Sequence, residues 1–228
     1  MVRELPIFPL PIVLFPGASQ PLHIFEPRYR QLLEDCLAAD RRFGIAYVAP
    51  ERAPGADPLP APGAVGCVAL IHSSERLPDG RSNIVTVGER RFVLCRWIAG
   101  AQPYRKAEVQ EFDDDPVDAA EAGTLASDVR AGIGRLVRAL GVLTEREDEE
   151  VALAGDPTLL SFQVAAMLEL DPDAKRVLQA SRSTDARLRQ LAALLEPLAA
   201  AAEGSAVVRR RARGNGRGGR HPEIERAT

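Results

Sequence analysis

With 228 residues, 46% hydrophobic and 27% charged, the chain carries enough apolar material for a substantial core and needs no disulfides to fold. It has no uninterrupted apolar run of about eighteen residues that would mark a membrane span, and Cys36, Cys67 and Cys95 are too few and too scattered for a disulfide framework, so they read as buried free thiols of a cytoplasmic protein. The net charge of −3 hides an asymmetry: from Ser205 to Thr228 seven Arg stand against Glu223 and Glu225, so a tail at +5 follows an acidic body at −8.

The N-terminal apolar stretch Leu5–Phe15 is punctuated by Pro6, Pro9 and Pro11 and preceded by Glu4, a pattern that a secretory segment's helical core excludes. Eight short β-rich runs follow one another through the first half: Leu5–Phe8, Ile12–Phe15, Leu22–Phe25, Phe43–Val48, Val65–Ile71, Asn83–Val87, Phe92–Ile98 and Arg105–Phe112. They predict a closed or folded sheet. Leu77-Pro78-Asp79-Gly80-Arg81 has the composition of a hairpin turn, and Pro-rich Ala49–Gly63 reads as a long loop. One helix interrupts the strands: Pro27 suits its first turn, and Tyr29, Leu32, Leu33, Cys36 and Leu37 recur at helical spacing.

Near Val117 the period changes, and Leu125, Val129, Ile133, Leu136, Val137 and Leu140 form a helical stripe that opens a bundle. Asp156-Pro157, Asp171-Pro172 and Ser183-Thr184-Asp185 each place a capping acceptor before an apolar-periodic run. The last helix, with Leu188, Leu191, Leu195 and Leu198, fades into Ala199–Ala202. The expected organisation is therefore a β-domain over 1–115, a helical bundle over 116–203 and a disordered Arg/Gly-rich tail over 204–228, which has no apolar period to offset ordering entropy.

Motifs for chemistry are absent from the sequence. A phosphate-cradling loop needs lysine after glycine, but Lys106 follows Arg105 and Lys175 follows Ala174. Gly17-Ala18-Ser19-Gln20-Pro21 ends in proline where a nucleophile elbow needs glycine. His23 and His72 are isolated, and Cys67 and Cys95 sit in apolar runs that raise a thiol's pKa rather than activate it. The acidic runs Glu111–Asp115 and Glu145–Glu150 lack the ligand spacing of a calcium loop and read as solvated connections. Neither catalysis nor a cofactor or metal is expected.

Leu5-Pro6-Ile7-Phe8-Pro9-Leu10, Val13-Leu14-Phe15-Pro16-Gly17 and Pro21 to Tyr29 together resemble the opening of the Lon protease N-terminal domain family. Gly66–Ile71, Pro78-Asp79-Gly80-Arg81, Val87-Gly88-Glu89-Arg90-Arg91-Phe92, Pro103-Tyr104 and Glu108-Val109 resemble its middle strands. Ser161–Ala165, Leu168–Asp171, Leu178-Gln179 and Arg187-Leu188 resemble its closing helices, so the likeness runs over about residues 3 to 200. It implies an α+β fold, a PUA-like twisted β-pseudobarrel with one packed helix followed by a helical bundle, used to engage unfolded or tagged protein substrates. The ATPase module and Ser-Lys protease domain that complete a Lon protease have no room in 228 residues.

The expected partners are protein clients, or a separate protease or ATPase, with no membrane; nucleic acid is the alternative, through the PUA-like fold and the basic tail. The body's charge of −8 opposes the alternative, because phosphate binding needs a basic face. Phe25, Arg28 and Tyr29, where a strand hands over to the helix, and Arg90, Arg91 and Phe92, at the start of a strand, are the candidate partner-binding residues, since aromatics and arginine dominate binding hot spots. Periodicity favours burial for the three aromatics and makes the arginines the stronger candidates.

Overall fold

The structure is a computed structural model that describes residues 2–50, 58–145 and 151–215. Six strands and one helix build the first half: β1 (Val2–Leu10), β2 (Ser19–Ile24), α1 (Pro27–Ala38), β3 (Arg42–Tyr47), β4 (Val65–Arg76), β5 (Ser82–Ile98) and β6 (Arg105–Glu111). A ring β5-β4-β3-β1-β6 closes where β5 pairs with β6, and β2 hangs on the first half of β5. Only β1 and β3 run parallel. Apart from the part of the 49–63 loop over residues 51–57, which lies outside the described residues, the α+β order expected from the sequence is the order found.

Six strands replace the expected eight for two reasons. Asn83–Val87 and Phe92–Ile98 are halves of one strand: Glu89 and Arg90 stand opposite the single residue Val68, a bulge between the pairs Gly88–Ala69 and Arg91–Cys67. Ile12–Phe15 is no strand, because it pairs with no neighbouring strand, although its side chains alternate between two cores. Leu14 joins the cluster under α1 and Phe15 joins the helical bundle, 6.2 Å from the Phe162 ring. This segment docks on β5 at Gly88, where an added Cβ would lie 2.1 Å from the Phe15 carbonyl oxygen. Glycine is required there by the close approach of two backbones.

Both faces of the closed ring of strands carry a buried core. Leu5, Ile7, Val68, Phe92, Leu94 and Val109 fill the ring, with Phe92 seated over Gly66, where a Cβ would stand 2.5 Å from its ring. On the other side Phe8, Phe43, Ile45 and Ile71 pack under Tyr29, Leu32, Leu33 and Cys36 of α1.

The second half is α2 (Ala119–Thr144), α3 (Pro157–Met167), α4 (Pro172–Ala180) and α5 (Thr184–Asn215). Asp118, Asp156 and Asp171 accept from first-turn amides, and Ser183 Oγ accepts from the Ala186 amide. Leu188, Leu191 and Leu195 pack on Val129, Ile133 and Leu160.

The expected end of helix near Gly204 is corrected: α5 continues to Asn215. Ala206 is buried against Ala139 and Val142 of α2, and Arg209 pairs with Glu145 at 2.9 Å, which together offset the roughly 1 kcal/mol that a helical glycine costs. The remainder of the expected tail, 216–228, lies outside the described residues. Thr184–Arg210 is also, by length and composition, apolar enough to cross a membrane, which the interrupted apolar pattern did not suggest. In this fold one face of that helix, from Leu188 to Ala199, is buried against the bundle.

Candidate functional site

Ile24 ends β2 pointing into the core, so strand alternation turns its neighbours His23 and Phe25 outward. Phe25 is 58% exposed, against the burial expected of it. Pro27 then fixes the first turn of α1, with Glu26 as its N-cap. The result is a groove of about 320 Å³ between the end of β1, the β2–α1 junction and the segment after β3. Phe8, Leu10 and Tyr29 form its floor and Pro9, Pro11, Pro50 and Pro58 its walls. Prolines present no N–H, so those walls offer apolar rings and carbonyl acceptors but no backbone donor.

The groove's rim is fixed by stacked contacts. Tyr29 is buried and stacks on Phe8 at 3.9 Å, and the Arg28 guanidinium lies 4.6 Å over the Tyr29 ring. Arg28 Nε also donates to Glu26 at 2.9 Å, with both side chains about a third exposed. Phe25, Arg28 and Tyr29 thus come together in one place, and Tyr29 has the buried position that periodicity predicts.

The other three candidates lie elsewhere. Phe92 is in the ring core. Arg90 is half exposed and faces Glu111 of β6 at 3.5 Å, while its neighbour Glu89 takes a bidentate pair from Arg42 at 2.7 and 2.8 Å. Arg91 is corrected outright: it is 3% exposed and cannot meet a partner. Its Nη1 donates to the carbonyls of Gln179 and Ser181, both at 2.6 Å, and its Nη2 faces Asp114 at 3.2 Å. Arg187, wholly buried on α5, pairs with the same Asp114 carboxylate and donates to Ser161 and Thr184. Burial pulls both guanidiniums below the ordinary arginine value, and Asp114 is the charge that opposes it.

In the acidic run Glu111–Asp115, Glu111, Asp113 and Asp115 are exposed as expected of a solvated connection, with Asp115 paired to Arg182, but Asp114 is not: it is the counter-charge of two desolvated cations. Of the other run, Glu145 pairs with Arg209, and 146–150 lie outside the described residues.

A sheet edge offers a second way to hold an extended chain, and β2 has one free edge. The Gly88 amide donates to the Ala18 carbonyl, and ladder alternation then directs Gln20, Leu22 and Ile24 toward β5 and Ser19, Pro21 and His23 outward. Pro21 has no N–H to offer, and its carbonyl already accepts from Gln20 Nε2 at 3.0 Å. The edge is blunted at its centre, which leaves the groove as the candidate site. Among the described residues no group of three or more His, Cys, Asp or Glu is arranged to hold a metal ion. Desolvation pushes the Cys36 and Cys67 thiols up to about 12, so neither is an activated nucleophile.

Comparison with known proteins bears on this arrangement. The chain is 30% identical over 193 residues to the Lon protease of Roseiflexus castenholzii and 26% identical over 199 residues to Lon protease 1 of Thermus thermophilus. Each match covers 84% of this chain but only 24% of the relative, so the chain spans about a quarter of the length of these proteases. A Lon N-terminal domain protein from Xanthomonas campestris superposes with a TM-score of 0.60 at 25% identity, covering 84% of this chain and 98% of that one. The N-terminal domain of a Mycobacterium avium complex Lon protease, 20% identical, shares the fold at a TM-score of 0.62 over 85% of this chain and 98% of its own. These likenesses lend no support to the nucleic-acid alternative. Residues 4–196 match the family model of the ATP-dependent protease La (LON) substrate-binding domain, and the chain belongs to that family.

Proposed function

We propose that the chain is a non-catalytic receptor that holds extended or unfolded segments of client proteins in the Phe25 groove, in the service of protein quality control, and presents them to a separate protease or ATPase. The observation that carries this reading is Phe25 itself: a large aromatic, 58% exposed, at the mouth of a groove walled by prolines. Water contact at such a residue is a standing cost that a bound apolar side chain removes. The arrested geometry of Tyr29 and Arg28 adds to it, because a rim already held by stacking and an ion pair loses little freedom on binding.

The test is fluorescence anisotropy with labelled unfolded casein, using wild type, Phe25→Ala and Arg28→Ala. Loss of the anchor is expected to weaken binding about tenfold, as for an interface hot spot, with the melting temperature unchanged. Unchanged affinity in Phe25→Ala removes the groove from the function. The purified chain is also expected to hydrolyse neither ATP nor casein.

A further inference from the structure

Beyond Phe25 the outer surface of β2 continues as a shallow trough of about 460 Å³ over β2, β5 and β4, sharing Leu22 and His23 with the groove. Strand register decides what faces this trough. Pro21 pairs with Val85 and Val85 with Ser73; His23 pairs with Asn83 and Asn83 with Glu75. Cross-strand partners point to the same face, so two rows cross the sheet, and the second row is polar throughout. On the opposite face Leu22 and Ile84 pack into the core.

Within the polar row two members are engaged with each other. His23 Nδ1 lies 2.8 Å from Asn83 Oδ1, and Arg81 Nη1 stands 3.4 Å from His23 Nε2. Glu75 is exposed and, among the described residues, has no hydrogen-bonding or ion-pairing partner. Its neighbours on the hairpin do: Arg76 faces Glu34 at 3.5 Å and Arg81 pairs with Asp79 at 2.5 Å. The trough thus ends on an uncommitted carboxylate, on a body that is acidic overall.

We propose that the groove and the trough bind one extended segment whose apolar side chain occupies the Phe25 groove and whose basic side chain pairs with the Glu75 carboxylate. This rests on the reading of the Phe25 groove as the client site. Glu75 is two strands across from β2 and one alternation back from Phe25, a separation of roughly 12 Å, or about three to four residues of extended chain. The ligand class is therefore a peptide with an aromatic or large aliphatic residue and a lysine or arginine three or four positions apart.

The test uses two fluorescein-labelled peptides that differ only in carrying Lys or Glu four positions from a Phe, titrated with the whole protein in low-salt buffer. The Lys peptide is expected to bind about fivefold tighter, the range of one exposed ion pair. Glu75→Gln should abolish that preference and Glu75→Lys reverse it, while Phe25→Ala weakens both peptides. A Lys preference that survives in Glu75→Gln comes from the acidic body as a whole and overturns the assignment to Glu75. Equal binding of the two peptides to wild type, with Phe25→Ala still weakening both, overturns the charge rule and leaves the groove standing. Absence of binding, or indifference to Phe25→Ala, removes the groove and the inference with it.

Discussion

The contact that joins the β-half to the bundle can be tested by one substitution, Asp114→Asn. Asp114 is the single carboxylate facing two guanidiniums whose side chains are 2% and 0% exposed, and it is itself only 17% exposed. Asparagine keeps the shape and removes the charge, so Arg91 keeps its carbonyls at Gln179 and Ser181, and Arg187 keeps Ser161 and Thr184. What is lost is, among the described residues, the only carboxylate paired with these two desolvated cations. Breaking a buried pair in this way costs about 3–5 kcal/mol, which for a chain of this size corresponds to a fall of roughly 6–20 °C in Tm. Urea unfolding followed by circular dichroism and Trp97 fluorescence measures the loss. Replacing the exposed Asp173, 82% exposed in its pair with Arg176, by Asn is the control and should cost less than about 1 kcal/mol. If Asp114→Asn is as mild as that control, the two arginines do not depend on the carboxylate and the account of the joint is wrong.

Two further outcomes follow from other groups. The Arg42 guanidinium beside Glu89 holds that carboxyl below its ordinary value of 4.5, so the pair contributes stability above that pH and loses it as pH falls through the folded-state value; the gap in unfolding free energy between wild type and Arg42→Ala should narrow from pH 7 to pH 3, and a gap independent of pH would show that the pair contributes by packing alone. Cys36 and Cys67, buried and with thiols pushed up to about 12, should resist a thiol-disulfide reagent in the native protein and react only in urea, whereas half-buried Cys95 reacts first; fast native modification of all three would contradict the packing under α1 and inside the sheet.

Where local chemistry decides, the sequence is readable. Pro27 starting α1, Asp156 and Asp171 capping α3 and α4, and the Leu188-Leu191-Leu195 stripe are all settled within one helical turn, and the structure places them as the pattern predicts. Arg91 is different. Its partners lie 88 and 90 residues away; the bulge at Glu89-Arg90 slips the phase of β5, and beyond it both faces of the strand are covered, Arg91's by the bundle and Phe92's by the ring, so that the two are buried although adjacent. A period-2 pattern carries no mark of such a slip until the partner strand is known. The same holds for α5, where Ala206-Val207-Val208 is too short an apolar run to carry the helix past Gly204 by itself, and order comes from Ala139 and Val142 of α2 and Glu145 at its C-cap.

Phe25 is the more instructive case, because its signal was present. Leu22-His23-Ile24-Phe25 alternates, and with Leu22 and Ile24 directed inward the pattern itself sends His23 and Phe25 to the surface. Composition argued the other way, since an aromatic is ordinarily buried, and the two rules conflict at this one residue. A large aromatic exposed by the strand's own geometry adds apolar surface to the groove beside it, and this is the ground for the proposed client site. Arg91 breaks its local expectation in the opposite sense, a charge drawn inside, and every contact that explains it is already within the chain. The two exceptions differ in where their contacts lie: those of Arg91 are all within the chain, whereas Phe25, beside the His23 ring at 6.1 Å, turns most of its surface to solvent at the groove.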